Sequence, residues 1–162
     1  MIDVVKVASY ICQRYKKEYG KQIDEMKLHK LLYFMQKECL VQRGEPLFSA
    51  VFHAWKYGPV MPQIRQLYKE GLLHTMPTEA EESEYQSVFD EVFRRLAGSS
   101  SMTLVSISHG ELSWKRARAG YGKYESSDIP MSLDDIREDA KNFKIRQFML
   151  KKMDEIKARA TL

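Results

Sequence analysis

The sequence predicts a mainly α fold: a single helical bundle of about six or seven helices over residues 1–162, with a small β element around residues 47–57. Three observations carry that expectation. Apolar residues recur every three or four positions through most of the chain. Capping and stopping residues bracket those runs. One stretch, Leu47 to Tyr57, abandons the helical interval for a rough alternation that suits a strand or extended arm.

The first helix is set by Val4, Val5, Ala8, Ile11, Cys12, Tyr15 and Tyr19, with Asp3 as N-cap and Gly20 as terminator. A second helix starts near Asp24. Met26, Leu28, Leu31, Leu32, Tyr33, Phe34, Met35, Leu40 and Val41 ring almost its whole circumference, as in a helix at the centre of a core. Gly44 and Pro46 stop it. In the extended segment Phe48, Ala50, Phe52 and Ala54 alternate with Ser49, Val51, His53 and Trp55, and Leu72 to Met76 is the candidate strand partner. Pro59 or Pro62 opens a helix carrying Ile64, Leu67 and Tyr68. Thr78 and Glu81 form a capping box ahead of Tyr85, Val88, Phe89, Val92, Phe93 and Leu96. Ser101 to Ile107 reads as a short helix. Ser108 then caps another, with Glu111 closing its box and Ile107 meeting Leu112 as a staple. Gly120 to Pro130 reads as a polar loop. Ser132 with Asp135 opens a penultimate helix, and a last one shows Ile145, Phe148, Met149, Met153 and Ile156 on one face.

The length fits one domain with a real core, and 44% hydrophobic against 30% charged residues is the balance of a soluble globule. No apolar run approaches the ~20 residues of a membrane span, and Met1 to Lys6 lacks the pattern of a secretory leader. Cys12 and Cys39 both fall in apolar helical patterns, so they read as reduced core thiols of a cytoplasmic protein. The net charge of +4 is unevenly spread. Residues 141–162 carry seven basic and two acidic side chains, a local +5, while Glu79 to Glu91 is strongly acidic. A basic tail suits an acidic partner or nucleic acid, or is simply a solvated face.

Phe52 to Pro62 is the most distinctive run. Trp55 and Tyr57 stand directly before Gly58-Pro59. Pro59 fixes its own φ and pushes Gly58 out of the helical region, so the chain turns there. Large aromatics at such a corner read as core residues docking one helix on another.

Catalytic spacing is sparse. His29, His53, His74 and His109 show no metal-ligand interval, and there is no phosphate loop, G-x-S-x-G elbow or CxxC pair, so no metal or cofactor is expected. His109 is the best lone candidate. It falls at an expected helix N-terminus beside Ser106 and Ser108, where a neutral imidazole next to a serine suggests hydrolase-type nucleophilic chemistry.

Three blocks recur in order: Lys27-Leu28-His29-Lys30-Leu31-Leu32-Tyr33-Phe34, then Ala54-Trp55-Lys56-Tyr57-Gly58-Pro59-Val60, then Leu104 through Ser108-His109 to Trp114. Together they resemble the Panacea domain, the SocA-like or GepA-like antitoxin family of bacterial and phage-associated proteins, from Val4 to about Arg118. His29 stands where glutamine is usual, and Ser113 where a proline often precedes the tryptophan. The resemblance implies an antitoxin that neutralises a cognate toxin by protein contact, with some members handing the toxin to a protease, and so a binding module rather than an enzyme. It also implies that Lys27, Leu28, Lys30, Leu31, Tyr33, Trp55, Gly58, Pro59, Val60, His109 and Trp114 maintain a common scaffold. Partner contacts would then come from variable surfaces, with Arg116, Arg118, Tyr121 and Tyr124 as candidates. Two alternatives stand beside this reading. One is a small hydrolase using His109. The other is a nucleic-acid-binding regulator using the basic C-terminal helices, which lack a recognition motif.

Overall fold

A computed structural model describes residues 1–162. Helix α1 (Val4–Tyr19) begins where the Asp3 carboxylate accepts from the Val5 N–H, and ends at Gly20 in the left-handed region. Helix α2 (Glu25–Arg43) is capped by Asp24 and stopped by Gly44. Every α2 residue from Lys27 to Leu40 is buried, so the helix is the axis of the molecule as its all-round apolar pattern predicts. Helix α3 (Pro62–Lys69) takes Pro62 at its first position. Helix α4 (Glu79–Val92) opens with the full Thr78–Glu81 capping box and runs into a π-helical turn, Phe93–Ala97. Helices α5 (Ser101–His109), α6 (Leu112–Ala117) and α7 (Leu133–Ala160) complete the bundle.

The core is one cluster built around Leu28, Leu31, Leu32, Tyr33 and Met35 of α2, with Phe48, Phe52, Phe89 and Ile11 packed on them. Each such side chain contributes roughly 1.5–3 kcal/mol by leaving water. Cys39 is buried and Cys12 half-buried; both are free thiols that burial pushes up to about 11.

The β element is smaller than the sequence suggests. Strand β1 is His53–Trp55 and β2 is Gly58–Val60, an antiparallel hairpin pairing Trp55 with Gly58. Strand β3 (Ile129–Pro130) pairs with β1 on its other edge, giving the order β2-β1-β3. Residues Leu72 to Met76 form no strand, which corrects the expected pairing. The partner comes instead from far along the chain, and local alternation cannot signal that. Residues Leu47 and Phe48 are held by the α2 side chain Gln36, whose Oε1 accepts from Leu47 N–H at 2.8 Å while Nε2 donates to Phe48 O at 3.0 Å.

Two helix boundaries also differ from expectation. Ser108 does not cap a helix. Its hydroxyl donates to Val105 O at 2.8 Å within α5, the helix runs on to His109, and Glu111 takes the N-cap position of α6. The two expected C-terminal helices are one 28-residue helix, α7, because no glycine or proline interrupts the chain between them.

Candidate functional site: the meeting point of the three motif blocks

The three blocks lie apart in sequence and meet along the buried face of α2. The polar side chains on this helix reach several other elements. Lys27 Nζ donates to Tyr15 Oη at 3.1 Å and to Ala97 O at 3.2 Å. Lys30 Nζ donates to Pro59 O at 3.1 Å, tying the first block to the second. Tyr33 Oη lies 2.9 Å from Ser113 Oγ, 3.3 Å from Asp139 Oδ2 and 3.4 Å from Glu111 Oε2, tying the first block to the third and to α7. Lys37 pairs with Glu111 at 2.7 Å and Glu38 with Arg95 at 3.0 Å. Buried polar groups are costly unless bonded, so this network fixes how the elements dock.

Gly58 sits where the blocks cross. Its φ is +103°, and a Cβ placed there would stand 2.5 Å from both Lys30 Cε and Ser108 Oγ. Only a residue without a side chain lets the hairpin lie on Lys30 and Ser108. Trp114 Nε1 donates to Trp55 O at 2.8 Å, closing the contact from the third block. Leu28, Leu31 and Val60 are buried beside this junction.

The electrostatics follow from burial. Burial pushes the Lys30 ammonium down to about 7, only partly opposed by Asp24 and Glu25. Burial, reinforced by Lys30 and Arg65, pushes His29 down to about 3. The neutral ring uses Nδ1 to accept from Met61 N–H at 3.2 Å, the role a glutamine carbonyl oxygen at this position would fill. Burial and the neighbouring Glu111 and Asp139 carboxylates hold the Tyr33 hydroxyl well above its usual range. Glu111 is itself raised by burial, with Lys37 opposing.

A cleft of about 560 Å³ opens beside the junction, bordered by Glu25, His29, Lys30, Trp55, Tyr57 and Arg65. The aromatic corner is therefore not the core element its composition suggests. Trp55 is only partly buried, with Nε1 donating to Asp128 at 2.8 Å and Arg65 lying over its ring, and Tyr57 is half exposed. A two-residue turn places both side chains at the hairpin end, where the core cannot reach them.

His109 sits at the C-terminus of α5, not at a helix N-terminus. Its ring stacks on Trp114 with centroids 4.0 Å apart, and burial lowers its pKa despite the helix end. Nε2 has no hydrogen-bond partner, and the Ser108 hydroxyl is spent on Val105 O, so the serine–histidine pair of the hydrolase alternative is not assembled. No group of three or more His, Cys, Asp or Glu side chains is placed to hold a metal ion. No helix is long and apolar enough to cross a membrane.

The four residues expected on a partner surface divide. Tyr124 is open to solvent and Tyr121 less so. Arg116 is half exposed but bridges Asp135 at 2.8 Å and Glu138 at 2.7 Å on α7. Arg118 is buried, and its guanidinium donates to Ser127 Oγ, Gly122 O and Glu125 O, each at 2.7 Å. It holds the loop together from inside rather than facing outward.

Sequence reasoning missed the junction role of four residues: Lys37 and Asp139, which it did not single out, and Glu111 and Ser113, which it noted for other reasons. Asp139 accepts from Leu112 N–H at 2.7 Å and Ser113 N–H at 2.9 Å, capping α6 from across the molecule. Ser113 offered the one available signal. A proline there would lack the N–H that Asp139 accepts, so the departure gains a bond.

The family model for the SocA-like antitoxin Panacea domain matches residues 28–115, which holds all three blocks except Lys27. The chain belongs to the SocA-like, Panacea-domain antitoxin family. It is also 30% identical over 103 residues to antitoxin SocA of Caulobacter vibrioides (strain NA1000 / CB15N), covering 54% of this chain and 55% of that protein. The chain thus spans about half the length of this curated relative. No solved structure matches. The Panacea match begins inside α2 rather than at Val4, so α1 and the segment beyond residue 115, with all of α7, lie outside it.

Proposed function

We propose that this protein is an antitoxin that neutralises a cognate protein toxin by direct contact. One observation carries the reading. The residues of the antitoxin-family match are bonded to one another across three distant blocks, as Lys30 to Pro59, Trp114 to Trp55 and Tyr33 to Ser113. Groups so engaged hold a platform rigid, and a rigid platform lowers the ordering cost of gripping a partner. The test is co-expression with the open reading frame beside its gene. Growth should stop when the neighbour is expressed alone and recover when this chain is supplied, and the two products should co-purify. If the neighbour is harmless, or growth recovers without complex formation, the reading is wrong. Toxin levels during recovery separate the modes: steady levels indicate masking, and falling levels indicate transfer to a protease.

A further inference from the structure

The distal half of α7 carries a surface that the bundle does not use. The helix packs on α2 and α6 through Ile136, Asp139 and Ala140, and Phe143 lies under Lys37 and Arg95. Beyond Phe143 nothing covers it. Ile145, Phe148, Met149, Leu150, Met153 and Ile156 are 47–65% exposed. Their exposed parts add up to apolar surface on the order of several hundred Å², the size that marks an interaction site rather than scattered exposure. At 3.6 residues per turn all but Leu150 share one stripe, with Lys144 and Lys151 along one flank and Arg146 and Lys157 along the other.

We propose that residues 144–160 are the toxin-docking element, inserting this stripe into an apolar groove of the toxin whose walls are acidic. The proposal rests on the antitoxin reading and names the surface through which it acts. Charge selects the occupant. Residues 141–162 carry a local +5, so pairing the tails of two copies would set like charge against like, whereas acidic walls would meet the cationic flanks on both sides. The apolar centre of the stripe disfavours nucleic acid, whose backbone rewards cations and whose bases reward polar or flat aromatic contacts. Position in the chain agrees. The element lies wholly outside the stretch matched by the family model, so it is free to differ with the toxin while the platform stays. Methionines at two stripe positions add the adaptability of flexible side chains.

The test uses the full chain with the product of the neighbouring open reading frame. One variant combines Phe148→Ser, Met149→Ser and Met153→Ser; a second combines Lys144→Glu, Lys151→Glu and Lys157→Glu. Because every altered side chain is largely exposed, thermal melts should match the parent. Each variant should weaken the complex at least tenfold and lose protection of growth, and parental affinity should fall as salt is raised from 50 to 500 mM. A variant that melts normally and protects like the parent overturns the docking element while leaving the antitoxin reading intact. A parent chain that fails to protect removes the reading itself. The isolated chain should run as a monomer in light scattering. A dimer broken by the serine variant, or binding to a random 30-base-pair duplex or to phosphatidylserine vesicles lost in the glutamate variant, would assign the surface to that other occupant and overturn the proposal.

Discussion

Gly58→Ala tests whether the three blocks cross as closely as the structure shows. Two costs add at this position. With φ at +103°, a side chain is held in a sparsely populated region, which costs on the order of 1–3 kcal/mol. The added methyl would also start 2.5 Å from Lys30 Cε and Ser108 Oγ. Neither neighbour yields freely: Lys30 would give up its bond to Pro59 O, and Ser108 its bond to Val105 O. Overpacking of this kind costs about 1–3 kcal/mol. The sum, about 2–6 kcal/mol, should lower the melting temperature by roughly 4–24 °C at 2–4 °C per kcal/mol for a chain of this size. Gly20→Ala is the control, with φ at +71° and no atom within 4 Å of the added Cβ, so it carries strain without collision. The double variant Gly58→Ala, Ser108→Ala should recover part of the loss by removing one obstructing atom. Calorimetric melts of the four proteins decide the matter. A Gly58→Ala loss no larger than that of Gly20→Ala would refute the close crossing.

Two further outcomes follow from the same network. His29 is held near 3 against an ordinary value of 6.5, so the folded state resists a proton that the unfolded state accepts. Its neutral form costs nothing above pH 6.5, and stability should then fall by up to about 1.4 kcal/mol per unit as pH drops from 6.5 toward 3. His29→Gln should flatten that slope in urea titrations while keeping an acceptor for Met61 N–H, and an unchanged slope would clear His29. Arg118→Met should free the Gly122–Ser127 loop, whose carbonyls and hydroxyl it holds, and speed tryptic cleavage at Lys123 severalfold with a modest change in melting temperature. Equal cleavage rates would show that the loop is ordered by other contacts.

Short-range patterns in the chain account for the helical framework. Asp3, Asp24 and Thr78 cap where short-range rules place them, Gly20 and Gly44 stop their helices, and the all-round apolar pattern of α2 marks it as the axis. These features depend on neighbours within four residues, which is the range a sequence pattern can report. The three ordered blocks also named the family. What the blocks do to one another emerges only in the folded molecule. Tyr33 meets Asp139, and His53 pairs with Pro130, over separations that no local interval encodes. The same holds for exposure. Arg118 looked like a surface cation and is buried, because the loop folds back over it and supplies carbonyls in place of water. The stripe on α7 was legible as one apolar face of a last helix, and the structure leaves that face bare. Apolar periodicity states that a helix has a face to bury, but only the packing of the other elements shows whether the chain itself supplies the surface that buries it.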